Sequence, residues 1–367
     1  MNTAPTLLVY GAGVHQVPIL AAGRRRGYRI VAVDRDPRAP GVGLADRFLC
    51  TSLRDHDAIA AAIEDESICG VVARVTDPVA LESSRRIAQG HGLAAPGPDL
   101  VAAATRKQAA GALCRTAGIR TPSRRTREDV VEALSAAGAA PPPRFCVRPD
   151  VTIRGKAAIR RVADVGGFEE ALREAAAASA NGAVDVSDWV EGIDVSVLAG
   201  LDCGRGRRIA LWDEWVGLES SGRIVGIGAG MPSIIEPQPA AVDEAITALA
   251  RACPTSRGLV TLSFRIDRAG RAHLIEIHLG IGGDALADLL LPAALPGFDV
   301  FDAMIAVQAG QPVEPPGLAP RARGLIRAEG SWRLIEAPEG RTLRARVRAT
   351  LSEALEVPAA LLDPAPF

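Results

Sequence analysis

Aromatic side chains are scarce in this chain of 367 residues: four Trp, two Tyr and seven Phe make up 4% of it. Bases or sugars would find few rings to stack on, which argues against a nucleic-acid partner. An excess of one charge is lacking too. With 42 Lys and Arg against 43 Asp and Glu, the formal net charge is -1, leaving neither a basic footprint for phosphate backbones nor an acidic tail. Arginines cluster only locally, at Arg24 to Arg26 and at Arg124, Arg125 and Arg127, and such short runs read as solvated faces. No apolar run is long enough to cross a bilayer. The start "MNTAPTLLVY" lacks the basic flank of a secretory leader, so a cytoplasmic protein without a membrane partner is expected. The six cysteines (Cys50, Cys69, Cys114, Cys146, Cys203, Cys253) include no CxxC pair. That disfavours cysteine-bound zinc and points to reduced, small core residues.

Core material is ample: 48% of the residues are hydrophobic, carried by Ala, Val, Leu and Ile. The length exceeds what one core usually serves, so two or three packed units are expected. The first hundred residues alternate strand and helix patterns. "TLLVYGAG" is a strand ending in a glycine turn, "PILAAGRRRG" a helix closed by Gly27, and "YRIVAVDRD" a strand ending at Asp34 and Asp36. "HDAIAAAIEDE", "CGVVARV" and "PVALESSRRIAQGHG" continue as helix, strand and helix, a doubly wound unit with a parallel sheet. The glycine turn invites a dinucleotide reading, but GxGxxG would need glycine where Gln16 stands, and Pro18 falls in the first helical turn. A turn that binds part of a substrate, or that only closes tightly, fits better.

Beyond residue 101 the texture changes. "VAAATRKQAAGALCRTAGIRTP" reads as one helix carrying Lys107 and stopped by Gly118 and Pro122. "FCVRPDV" reads as a strand, "TIRGKAAIRRV" as a loop returning as a strand, and "GGFEEALREAAAASANG" as a helix. "VDVSDWVEGIDVSVLAG" alternates as strands broken at Glu191 and Gly192, followed by strands in "RRIALWDEWVG", "GLVTLSFRID" and "AHLIEIHLG". "DRAG" joins the last two as a hairpin. Helices are expected from about Ala285 to Leu290 and from Val300 to Ala309, and after "QPVEPPGLAP" a tail with one strand ("ARGLIRAEG") and one helix.

In "LIEIHLGIGG" a carboxylate, Glu276, and an imidazole, His278, stand two apart. Strand alternation puts them on one face and Ile275 and Ile277 on the other. The pair is either a metal site or the wet face of a strand.

The order of segments from Leu7 to about Ala309 resembles the ATP-grasp superfamily, whose members use ATP to activate a carboxylate as an acyl phosphate that an amine then attacks. Four stretches carry the resemblance: "VAVDRDPRAPGVGLADRF", "GLAAPGPDLVAAATRKQAAGALCRTAGIRTP", "DWVEGIDVSV" and "RAHLIEIH". Among members, the lysine ligase of pyrrolysine biosynthesis is similar in length and in "WVEGIDVSV". The resemblance implies an α/β ATP-grasp fold: a Rossmann-like domain (1–105), two α+β subdomains (106–185 and 186–310) clasping the nucleotide, and a small C-terminal extension (311–367).

Carried over by position, the resemblance makes Lys107 the first phosphate-contacting lysine and puts Arg148 where the family has the second. Asp188, Trp189 and Val190 form the adenine hinge, with Asp194 as the ribose acid and Ser187 in place of the hinge acid. Arg154 and Lys156 flank Gly155 on the phosphate-covering loop. Glu276 matches the central metal acid, whereas Ser263 stands for the other acid, His278 for an asparagine and Gly280 for an arginine. Magnesium prefers hard oxygen ligands, so Glu276 with His278 points to Mg2+ or Mn2+ bound in an altered site. Asp267 lies about 13 Å along the strand from Ser263, too far to substitute. Arg148, Glu276 and His278 are the candidate catalytic residues.

The implied function is an ATP-dependent carboxylate–amine ligase acting on small, amino-acid-like substrates, with a homodimer compatible with the tail. The alternative is an ATP-grasp scaffold whose nucleotide site has decayed or been repurposed for ligand binding or other chemistry.

Overall fold

The computed structural model describes residues 4–136, 142–152, 158–282, 285–328 and 331–350. The loop residues Arg154, Gly155 and Lys156, and Gly283 and Asp284 of the "LGIGGD" turn, lie outside the described residues.

The chain begins with β1 (Thr6–Tyr10), α1 (Val17–Arg25), β2 (Arg29–Asp34), β3 (Arg47–Cys50), α2 (His56–Ala62), β4 (Ile68–Ala73) and α3 (Pro78–Gly90). The strands form a parallel sheet in the order β3-β2-β1-β4. β1 and β2 are apolar and buried on both faces, as parallel strands between helical layers must be. Strand β3 was not anticipated, because four residues ending at the exposed Cys50 give little alternation.

Next come α4 (Pro98–Thr105), α5 (Lys107–Ala117), α6 (Arg127–Ser135), β5 (Phe145–Pro149), β6 (Arg160–Val162), α7 (Val165–Ala178) and β7 (Val184–Asp188). The single helix expected through Lys107 is in fact two, because Arg106 is extended (φ -134°, ψ 125°). β6-β5-β7 make a small antiparallel sheet. Its Phe145, Val147 and Val186 pack on Phe168 and Ala171 of α7 and Val130 of α6. Helix α6, missed in the sequence, opens with a capping box between Thr126 and Asp129.

The third group is β8 (Gly192–Asp202), β9 (Arg205–Leu218), β10 (Ile224–Met231), α8 (Ala240–Ala252), β11 (Arg257–Asp267), β12 (Ala272–Leu279), α9 (Leu291–Ala294) and α10 (Val300–Gln308). The helix expected at Ala285–Leu290 is a π-helical turn over Leu286–Leu290. The tail adds β13 (Ala322–Ala328), β14 (Ser331–Ala337) and α11 (Gly340–Thr350). Seven strands form one sheet in the order β12-β11-β8-β9-β10-β13-β14, so the tail extends the large sheet. Two of its strands escaped the sequence reading, and β10 is the instructive one. No element is assigned to "IVGIGAGM" from the sequence, yet a Cβ on Gly230 would lie 2.3 Å from Trp215 Cζ2. The glycines make room for that buried indole.

The "DRAG" hairpin forms as expected between β11 and β12. The alternation expected in β12 does not hold throughout. The register slips between Ser263/Glu276 and Phe264/Leu274, leaving Ile275 as the extra residue of a bulge. Leu274 and Ile277 enter the core, while Ile275 stays half-exposed.

The cysteines are all free thiols, but only Cys114 and Cys253 are buried; Cys50 and Cys203 are exposed, against the expectation of core residues. No described helix is long and apolar enough to cross a membrane.

Among the described residues the small sheet meets the large one at two places. At one end Arg161 N donates to Gly222 O and Ile224 N to Ile159 O, tying β6 to the β9–β10 turn. A side chain on Gly222 would collide with Arg161 O at 2.1 Å, so this closure depends on glycine. At the other end Arg148 of β5 reaches β12.

Candidate functional site

Lys107 is the first residue of α5, and two facts about that position are unfavourable to a lysine. It is 7% exposed, and a cation at a helix N-terminus opposes the helix dipole. The fold fixes it there nonetheless. Asp150, buried just after β5, accepts from Lys107 N with its carbonyl (3.0 Å) and from Gln108 N with Oδ1 (2.8 Å), while Oδ2 holds Asn181 Nδ2 (2.8 Å). One acid thus caps α5 and anchors the strand that carries Arg148.

The Lys107 ammonium is paired with Glu276 Oε1. The other oxygen, Oε2, lies 3.4 Å from His278 Nε2. Burial alone would push the Glu276 carboxyl up, but the charges of His278 and Lys107 outweigh it and hold it well below the usual carboxylate range. For His278 burial opposes the charged form, and Glu276 again prevails, raising the imidazole above its ordinary value. Arg148 donates from Nε to Asp185 Oδ2 (2.9 Å) and from Nη1 to Ile275 O (2.9 Å), the carbonyl that the bulge turns outward. Lys107, Arg124, Arg148 and Asp185 line one small cavity beside this cluster. The structure therefore brings together Lys107, Arg148, Glu276 and His278, residues spread over about 170 positions of the chain.

Ser263 stands directly opposite Glu276 across β11–β12 and opposite Ser196 across β11–β8. Its hydroxyl lies 2.8 Å from Ser196 Oγ, which donates to Glu214 Oε1 at 2.6 Å. Glu214, on β9, is a carboxylate of this face that the sequence reading missed. Asp267, bonded to Arg271 and His273 at the hairpin end, takes no part.

A resident metal requires a donor set, and this one fits poorly. Glu276 is engaged on both oxygens, Ser263 is bonded to Ser196, and an imidazole is a soft companion for magnesium. Among the described residues no group of three or more His, Cys, Asp or Glu side chains could hold a metal ion.

The residues expected to form the hinge are positioned by charge. Asp188 takes a two-point ion pair from Arg125 (2.7 and 2.8 Å), and its amide donates to Ser123 O. Asp194 takes one from Arg265 (2.9 and 2.6 Å), whose Nη1 also donates to Val190 O at 3.2 Å. The Arg265 guanidinium stacks 4.0 Å from the Trp189 ring centre. Arg124 and Arg125 are exposed, as expected of a solvated run, and pair there with Asp185 and Asp188. The run Arg24 to Arg26 does form surface ion pairs, with Asp46, Asp299 and Asp302.

The N-terminal glycine turn is closed by its own side chains. Asp34 Oδ2 accepts from Ala12 N, and the Gln16 side chain fills the space beside Gly11 while donating to Arg74 O. A pyrophosphate has no room at Gly11 without moving Gln16. Arg74, which the sequence reading did not single out, donates to His15 O, Ile281 O and Gly282 O, joining the N-terminal parallel-sheet unit to the turn after β12.

Sheets arranged in this way make a mixed α/β fold similar to that of the ATP-grasp ligases. Comparison with solved structures agrees. The L-amino acid ligase from Bacillus licheniformis matches 97% of this chain and 99% of its own at 14% identity, with a TM-score of 0.69. N5-carboxyaminoimidazole synthetase from Staphylococcus aureus, complexed with ADP, matches 89% and 83% at 13% identity (TM-score 0.68). The biotin carboxylase domain of Hydrogenobacter thermophilus 2-oxoglutarate carboxylase, with magnesium ADP and bicarbonate, matches 97% and 91% at 15% identity (TM-score 0.68). The likeness is one of fold. The nearer likeness to the lysine ligase of pyrrolysine biosynthesis is not confirmed by these matches. No protein-family model matches the chain, and no curated protein matches it at a significant level.

Proposed function

We propose that this protein is an ATP-dependent carboxylate–amine ligase acting on small, amino-acid-like molecules. The observation that carries the proposal is the convergence of Lys107, Arg148, Glu276 and His278 where the small and large sheets meet. In the reaction, a substrate carboxylate oxygen attacks the γ-phosphorus and ADP departs. The amine then attacks the acyl carbon, loses a proton, and phosphate leaves. Such chemistry needs positioning and charge compensation more than a protein nucleophile.

Lys107 and Arg148 are the cations assigned to the phosphates. In the structure Lys107 and Glu276 neutralise each other; a phosphate chain offers Lys107 a second anionic partner. Adenine is assigned to the hinge Asp188–Val190 and ribose to Asp194, whose pairing with Arg265 would have to adjust or share. Division of the chain at 105, 185 and 310 follows the same reading, as does a role for Lys156 toward phosphate.

A second reading, a scaffold repurposed for ligand binding without nucleotide, draws on the same contacts: Glu276 and Asp194 are already satisfied by the protein's own cations. Calorimetric titration with a non-hydrolysable ATP analogue, with and without Mg2+ or Mn2+, separates the two. Micromolar binding weakened by Lys107→Ala and by Glu276→Ala is expected, and ADP release from ATP itself on adding amino acids completes the case. No binding under any condition would overturn the ligase reading in favour of the second.

A further inference from the structure

We infer that Asp185 is a positioning residue: it sets the plane of the Arg148 guanidinium so that Arg148 presents a fixed fork to the nucleotide's phosphates. The inference rests on the nucleotide reading above. Arg148 and Asp185 are direct cross-strand partners on β5 and β7, on the face opposite the Phe145–Val147–Val186 core. Asp185 is 2% exposed. Its Oδ2 receives Arg148 Nε, and its Oδ1 has no hydrogen-bond donor in line. Arg124 Nη2 stands 2.7 Å from Oδ1, close enough for charge attraction but not aligned to donate.

The Arg148 guanidinium is therefore held at two of its three nitrogens, Nε by Asp185 and Nη1 by Ile275 O. Of its five N–H groups, the other three have no protein partner among the described residues. A lysine at this position would be a rotatable point charge needing no such support. A planar arginine delivers its hydrogen bonds only if its plane is set, because the fork geometry carries the interaction. Asp185 and the Ile275 bulge together supply that setting, which is how an arginine can stand where a lysine would be expected.

A purely structural ion pair between β5 and β7 predicts a different outcome, and a double-mutant cycle on the full chain distinguishes the two. The binding of a non-hydrolysable ATP analogue and of adenosine is measured by calorimetry for wild type, Asp185→Asn, Arg148→Lys and the double variant, with thermal midpoints alongside. Asp185→Asn is expected to weaken the analogue about tenfold and to leave adenosine unchanged. In the Arg148→Lys background the same change should have little effect, since lysine has no plane to set.

Equal losses in both backgrounds, or a parallel loss of adenosine, would overturn the inference, as would analogue binding unchanged in a folded Asp185→Asn. Should that variant unfold, Asp185→Glu keeps the charge but displaces it by one methylene, and the same comparison applies. Failure of the wild type itself to bind the analogue would overturn the nucleotide reading and this inference with it. An effect missing only in Asp185→Asn overturns the inference alone.

Discussion

Replacing Glu276 with Gln tests the charge cluster at its centre. The amide keeps the volume of the carboxylate but strips Lys107, 7% exposed, and His278 of their shared counter-charge. Removing one partner of a buried ion pair costs about 3–5 kcal/mol. Glu276 itself is 26% exposed, so solvent screening brings the expected loss to about 2 kcal/mol. The pH dependence adds a sign. Burial disfavours a charged His278, but Glu276 more than compensates, so its folded-state pKa is raised. Its contribution is then complete below its unfolded value of about 6.5 and is lost as pH rises through the raised value. Glu276 behaves oppositely: its contribution is present above about pH 4.3 and is lost on acidification through its depressed value. Urea unfolding, followed by fluorescence of the buried Trp212 and Trp215 at pH of about 5.5, 7 and 8.5, should show wild type weakening toward the highest pH, the window set by the raised His278. Glu276→Gln should be less stable at the lowest of the three and lack that decline. Equal midpoints for the two proteins at every pH would refute the pairing.

Other substitutions test the frame around the site. Gly230→Ala forces a methyl to within 2.3 Å of Trp215 Cζ2 and should cost about 2–3 kcal/mol through overpacking, read as a lowered thermal midpoint. Arg344→Met removes the cation that α11 places 3.0 Å from the buried Asp213. A loss of about 3 kcal/mol is expected, and Asp213→Asn in the same chain should recover most of it; no recovery would mean that α11 is held by packing alone.

Much of the order of elements is legible in the sequence because period-two and helical patterns are local. The N-terminal parallel unit, the small-sheet strands, the β11–β12 hairpin and the break at Glu191 and Gly192 can all be read that way. Local patterns fail where a neighbour decides. Lys107 begins its own helix because Asp150, 43 residues later, takes the amides of α5. β10 is a strand because its glycines admit Trp215. Ile275 leaves the alternation of β12 because the register with β11 slips there.

The candidate site divides along the same line. Lys107, Arg148, Glu276 and His278 could be singled out by type and order, since cations and acids at those places resemble a known arrangement. Their partners could not. Asp185 faces Arg148, Glu214 reaches Ser196 and Arg265 takes Asp194 only through cross-strand register, and Arg74 meets the turn after β12 across more than 200 residues. The sequence by itself determined which groups carry charge and which strands can form. Only the tertiary structure decided which charges neutralise one another, because that depends on distances of a few ångströms between segments far apart along the chain.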